Sequence, residues 1–164
     1  YGHDIEGGKL ARVILTRLRY SKQFTDKVAL LVRWHMFPVH AHSTDKALRR
    51  FIRKVGKDHV LDLMEVRRSD IIALGKQTTY AGWAHWRTLR GLLIEIIDSD
   101  AALSVSDLAI GGREVMDILD IAPGPQIGIA LEWLLEKVLD DPSLNQGAEL
   151  TALLESYQKT SFTK

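Results

Sequence analysis

The 164-residue sequence contains no cysteine. That absence excludes a disulfide framework and any zinc site built on thiolates, and it fits a reducing compartment. No apolar run approaches the roughly 18 residues of a membrane-spanning helix. No secretory signal pattern opens the chain. Strand-like alternation, internal repeats and low-complexity tracts are also missing. What is present is 46% hydrophobic and 26% charged, the composition of an ordinary folded chain with length enough for a real core. The first residue is Tyr1, and a helical pattern begins almost at once, so we expect a segment of a longer chain.

The net charge of +1 conceals an asymmetry. Residues 1–60 carry 13 Lys and Arg against 5 Asp and Glu, an excess of +8; residues 61–164 carry 9 against 16, or −7. A basic half suggests a polyanion partner. Mutual attraction of the two halves, or plain solvated faces, would give the same totals.

Helical periodicity dominates. Asp4 to about Arg19 has Ile5, Leu10, Val13, Ile14 and Leu18 near helical spacing. Thr25 suits the N-cap of a second helix, which should stop before Pro38 because the residue ahead of proline disfavours the α region. Asp45–Val55 is the sharpest segment, with Ala47, Leu48, Phe51, Ile52 and Val55 on one side and Gly56 as its stop. Further helices are expected over Asp58–Leu74, ended by Gly75, and from Tyr80 to about Ile97. After a polar break at 98–106 come a short helix near Asp107 and helices over Arg113–Leu119, Pro125–Leu139 and Gln146–Tyr157. The fold class is all-α, a bundle-like helical array, with one region at 1–98 and a second at 99–164.

Three features could carry chemistry. Arg49, Arg50, Arg53 and Lys54, followed by Lys57, form a cationic strip on the polar side of the third helix. Like charges at that spacing repel by a few tenths of a kcal/mol per pair (~0.2–0.5). Phosphates would offset that repulsion and gain affinity by counterion release; a solvated helix face is the alternative. Second, in ILDIAPGPQIGIALEWLL, residues 118–135, a tight turn leads to Pro125 at the first position of a helix. Gly124 and Gly128 would let a phosphate or another helix come close to that N-terminus. The alternative is a helix-packing turn, since Asp117 and Asp120 nearby would repel an anion. Third, His3, His35, His40 and His42, with Asp4 and Asp70, are donors suited to a divalent metal in phosphoester hydrolysis, although no pair has the spacing of a zinc signature.

Several blocks read together carry a resemblance. GHDIEGGKLARVILTRLRYS, VALLVRWHM and TDKALRRFIRKVGKDHVLDLMEVRRSDIIALGK resemble the helical region that follows the catalytic domain in bacterial class II tRNA nucleotidyltransferases, the CCA-adding enzymes and their poly(A) polymerase relatives. LSVSDLAIGGREVMDILDIAPGPQIGIALEWLLEKVLDDPSLN is similar to the body and tail of the same family. The resemblance spans about residues 1–146. It implies a cytoplasmic, RNA-binding portion of a tRNA-processing enzyme that holds the acceptor and TΨC arms of tRNA, with no membrane partner. Arg49, Arg50, Arg53, Lys54, Lys57, Arg17, Arg19, Gly124 and Gln126 are the candidate RNA-binding residues. The nucleotidyltransferase head, where Mg2+ is bound, has a glycine-serine motif and paired aspartates that this sequence lacks, so the segment has no catalytic residue of its own and should not transfer nucleotides alone. Family members often carry an HD phosphohydrolase-like region here. The resemblance then implies His3, His35 and Asp70 as part of an incomplete divalent-metal site, and the alternative reading is part of an HD-type phosphohydrolase. Gly111-Gly112 stands where relatives commonly have Asn-Gly.

Overall fold

The computed structural model describes residues 2–73, 80–99 and 102–161. Among them there are eight α-helices and no strand, so the chain is all-α. It divides into two compact units, Tyr1–Ile97 and Asp98–Lys164.

The first unit opens with α1 (His3–Arg17), whose first turn holds Asp4 and Glu6 where carboxylates favour the helix dipole. Arg19 turns left-handed at φ 60, and the Tyr20 N–H returns to the Leu15 carbonyl at 3.1 Å, ending the helix. Next, Ser21 Oγ accepts the Phe24 N–H at 3.2 Å, so α2 (Lys22–Trp34) starts about one turn ahead of the start expected from a Thr25 cap. Thr25 instead lies within α2, 4% exposed, its Oγ1 without a hydrogen-bond partner.

Two glycines set how α1 meets α2. A Cβ on Gly8 would stand 3.1 Å from the Ala29 carbonyl oxygen and 3.2 Å from Arg33 Cβ; one on Gly7 would stand 3.1 Å from Val32 Cγ1. The helices therefore approach more closely than side chains allow. Charge pairs bracket the contact, Asp4 with Arg33 on one side and Arg12 with Asp26 on the other. Climbing α1 turn by turn descends α2 turn by turn, the register of an antiparallel pair. The apolar residues that mark α1 as helical are left unburied by this contact: Leu10, Val13 and Leu18 are 58–64% exposed, and Ile5 and Ile14 are exposed as well.

In α3 (Asp45–Val55) the expected bounds hold. Thr44 Oγ1 accepts the Ala47 N–H, Leu48, Phe51, Ile52 and Val55 are buried, and Gly56 at φ 90 closes the helix with its N–H on the Ile52 carbonyl. α4 (Lys57–Ala73) buries Val60, Leu63 and Met64 and is tied to α2 by Lys27–Asp62 at 2.6 Å. The expected stop at Gly75 lies outside the described residues. α5 (Tyr80–Asp98) buries Leu89, Leu93 and Ile96, and its Trp86 indole N–H donates to the Met64 carbonyl at 2.9 Å.

The second unit contains α6 (Gly112–Leu119), α7 (Pro125–Asp140) and α8 (Gly147–Ser161). The short helix expected near Asp107 is a single 3₁₀ turn, Val105–Asp107. Asn145 accepts the Ala109 N–H at 2.8 Å and donates to the Asp107 carbonyl at 2.9 Å, which joins that turn to the connection before α8. Glu114 accepts the Gly111 N–H at 2.9 Å at the start of α6. Hydrogen bonds from its own and the Gly111 backbone N–H hold its carboxyl below the usual range. Leu134, Leu135, Val138 and Leu139 of α7 are buried with Val115 and Leu119 of α6 and Leu150 and Leu154 of α8.

Two glycines in different surroundings, Gly8 at the α1–α2 contact and Gly91 in α5, give opposite expectations. Gly8→Val forces backbone or Cβ atoms apart and should cost about 1–3 kcal/mol. Gly91→Ala, inside α5 with nothing within 4 Å of the new Cβ, should gain about 0.5–1 kcal/mol. Urea midpoints at constant slope would check both. The Asp26 carboxyl is held below its ordinary value chiefly by the Arg12 hydrogen bond and also by Lys22. A carboxylate so lowered adds stability above its unfolded value and loses it as pH falls through its folded value. The melting deficit of Asp26→Asn should accordingly be visible near pH 7 and vanish at about pH 2, measured against wild type at each pH.

Candidate nucleic-acid interface

The basic strip follows from the packing of α3. Burying Leu48, Phe51, Ile52 and Val55 turns Arg49, Arg50, Arg53 and Lys54 toward the other side of the helix. The three arginines are half-buried and the lysine is exposed, as expected when long side chains lay apolar stems along a surface and keep their charges in water. Arg49, Arg50 and Arg53 are also engaged by groups within the chain. Lys54 Nζ lies 5.0 Å from the centre of the Trp34 ring, as does the Arg33 guanidinium carbon, so the α2 indole gathers a cation from α3 beside its own neighbour. Lys57 opens α4 directly after Gly56 and is exposed. No spacing in the sequence points to Trp34; only the tertiary contact between α2 and α3 reveals its place.

Arg17 and Arg19 are exposed at the end of α1. They belong to the α1–α2 pair, whereas the strip belongs to the α3–α4 pair.

In the second unit the turn 120–124 joins α6 to α7 as the spacing suggests. Asp120 takes the left-handed conformation at φ 51, and the Ile121 N–H returns to the Met116 carbonyl at 3.2 Å. Gly124 is fully extended, and a Cβ there would meet Gln126 Oε1 at 2.8 Å, so the Gln126 amide folds back over the start of α7. Gly128 has open space where a Cβ would sit. A Cβ on Gly112 would meet Ile127 Cγ2 at 3.2 Å, which brings the starts of α6 and α7 together.

His3 and His35 lie with ring centres 5.5 Å apart. The His35 Nδ1 faces the Val32 carbonyl at 2.6 Å; because a carbonyl only accepts, Nδ1 is the donor in that bond. His35 and Asp70 line one shallow cavity of about 360 Å³ together with Met36, Arg67 and Ala73. Among the described residues, no group of three or more His, Cys, Asp and Glu side chains could hold a metal ion. His3, His35 and Asp70 therefore do not form a metal centre by themselves. A larger groove of about 590 Å³ runs between α1 and α2, walled by Ile5, Val13, Leu30 and Trp34 and rimmed by the Arg12–Asp26 pair.

No described helix is long and apolar enough to cross a membrane. An all-helical domain with one strongly basic helix is thus what fold and surface define. Comparison with known proteins places it more narrowly. Residues 6–154 match the family described as tRNA nucleotidyltransferase domain 2, and the chain belongs to that family. It is 30% identical over 138 residues to the A-adding tRNA nucleotidyltransferase of Deinococcus radiodurans, covering 83% of this chain and 30% of that protein. It is 33% identical over 135 residues to the CC-adding tRNA nucleotidyltransferase of Thermus thermophilus, covering 82% and 29%. A bifunctional uridylyltransferase/uridylyl-removing enzyme of Azospirillum brasilense is 30% identical over 117 residues, 68% of this chain and 12% of that enzyme. The chain thus spans about 30% of the length of the two tRNA nucleotidyltransferases. No solved structure matches it.

Proposed function

We propose that this chain is the RNA-holding helical portion of a tRNA nucleotidyltransferase of the CCA-adding or poly(A) polymerase type, acting beside a catalytic head that binds Mg2+. The observation that carries the reading is α3: its apolar side is fully used in the core, and the remaining side presents Arg49, Arg50, Arg53 and Lys54 with Lys57 following. Duplex RNA is read mainly through backbone and form, so a cationic helix side without base-reading geometry suits the acceptor and TΨC arms. Arg17, Arg19, Gly124 and Gln126 are candidates for further backbone contacts, and a cytoplasmic location goes with a tRNA partner.

Binding of tRNA by the isolated chain should weaken steeply with salt. Arg49→Glu with Arg53→Glu should weaken it by more than about tenfold and reduce the slope of log affinity against log salt by about two, one for each phosphate the variant no longer neutralises. Far-UV circular dichroism matched to wild type would confirm that the fold is kept. Salt-insensitive binding, or a double variant that binds like wild type, contradicts the proposal.

A second reading has its own support. The His3–His35 ring pair beside the His35–Asp70 cavity would supply part of a donor set in a metal-dependent phosphohydrolase of the HD type, completed by residues outside this chain. One relative's name includes uridylyl removal. On this reading a longer protein containing the chain, given nickel, manganese or magnesium, adds water to a 2′,3′-cyclic nucleotide and opens one P–O ester bond to leave a nucleoside monophosphate, and His35→Ala abolishes that ring opening. No hydrolysis with any of the three ions contradicts it.

A further inference from the structure

Three histidines that are scattered in sequence meet in the first unit. The ring of His85, on α5, lies 5.5 Å from that of His42 and 6.2 Å from that of His40, and the last two are 6.3 Å apart. His40 and His42 belong to the loop Pro38–Ser43, which connects α2 to α3. Two backbone N–H groups of this loop donate to imidazole nitrogens. The Ala41 N–H donates to His85 Nε2 at 3.0 Å, and the His42 N–H donates to His40 Nδ1 at 3.3 Å. The loop is tightened further by the His40 N–H on Ser43 Oγ and the Ser43 N–H on the His40 carbonyl.

An imidazole nitrogen accepts a hydrogen bond only while it carries a lone pair. Both bonds therefore require that His85 Nε2 and His40 Nδ1 be unprotonated. Protonation turns each acceptor into a donor facing another donor and sets imidazolium charges about 6 Å apart. The charged surroundings reinforce the sign. Among the described residues lining the adjacent cavity, α5 contributes Gly82, His85, Trp86 and Leu89, the loop side contributes Phe37, Val39 and His40, and α4 contributes Met64, Arg67 and Ile71. The charged side chain in that set is the Arg67 guanidinium, which disfavours a second positive charge, and no carboxylate there would favour one.

We propose that His40, His42 and His85 form a proton-sensitive latch that fastens the Pro38–Ser43 loop to α5. The latch is closed while His85 Nε2 and His40 Nδ1 carry lone pairs and opens when acid protonates them. Because Thr44, the cap of α3, follows the loop directly, opening frees the lead-in to the basic helix and adds positive charge to the basic half of the chain. The proposal does not depend on the tRNA reading, since it concerns loop attachment alone.

Amide hydrogen exchange of the 15N-labelled 164-residue chain tests it, with rates corrected for intrinsic pH dependence. Ala41 protection should fall about tenfold between pH 7.5 and 5.5. His85→Gln keeps an acceptor oxygen that does not titrate, and its Ala41 protection should be the same at both values. His85→Phe should remove the protection at both, while the exchange of core amides such as Leu63 and Leu93 stays at the wild-type level. Unchanged wild-type protection at pH 5.5, or a His85→Gln variant that loses protection as wild type does, would overturn the latch.

Discussion

The burial of four side chains on one helix governs most of what this chain presents to its surroundings. Leu48, Phe51, Ile52 and Val55 leave α3 no choice of orientation: all are in the core, at 5% exposure or less. With that side committed, the arginines and lysines between them must face outward, and their mutual repulsion is a standing cost of a few tenths of a kcal/mol per pair (~0.2–0.5). Folding tolerates the cost because burying four large apolar side chains contributes far more, at about 1.5–3 kcal/mol each relative to exposure. Groups within the chain engage Arg49, Arg50 and Arg53 on that polar side. The Trp34 indole adds to this by collecting Lys54 from α3 alongside Arg33 of its own helix.

Around α3 the first unit uses contacts of quite different kinds. The α1–α2 pair relies on absent side chains, since Gly7 and Gly8 permit a backbone approach that any Cβ would obstruct. Charge pairs then fix the register from both ends of the contact. α2 reaches α4 through Lys27–Asp62, and α4 reaches α5 through the Trp86 indole and the Met64 carbonyl. The loop between α2 and α3 is fastened by imidazoles.

Local features were readable where a single helix determined its own ends and faces. Asp45–Val55 has a Thr cap, a terminal glycine and an unambiguous apolar side, and the structure keeps those bounds. Pro125 likewise opens α7 as its fixed φ suggests. Thr25 misled because Ser21, also a capping residue, stands one turn earlier and closes its bond to the Phe24 N–H. In α1 the apolar spacing identified a helix but not which side meets a neighbour; that role falls to Gly7 and Gly8, whose signal was a glycine pair inside a helical pattern. The His40–His42–His85 cluster and the Lys54–Trp34 contact join separate elements, and no local spacing encodes them. For the candidate interface, the strip on α3 was legible because one helix holds it.

The central claim is that the polar side of α3 is where RNA is held. Nuclear magnetic resonance of arginine side-chain N–H groups and backbone amides during titration with a tRNA acceptor–TΨC minihelix tests it most directly. The account predicts that the largest shifts fall on Arg49, Arg50, Arg53, Lys54 and Lys57. Shifts that leave α3 untouched while the minihelix binds elsewhere would contradict it.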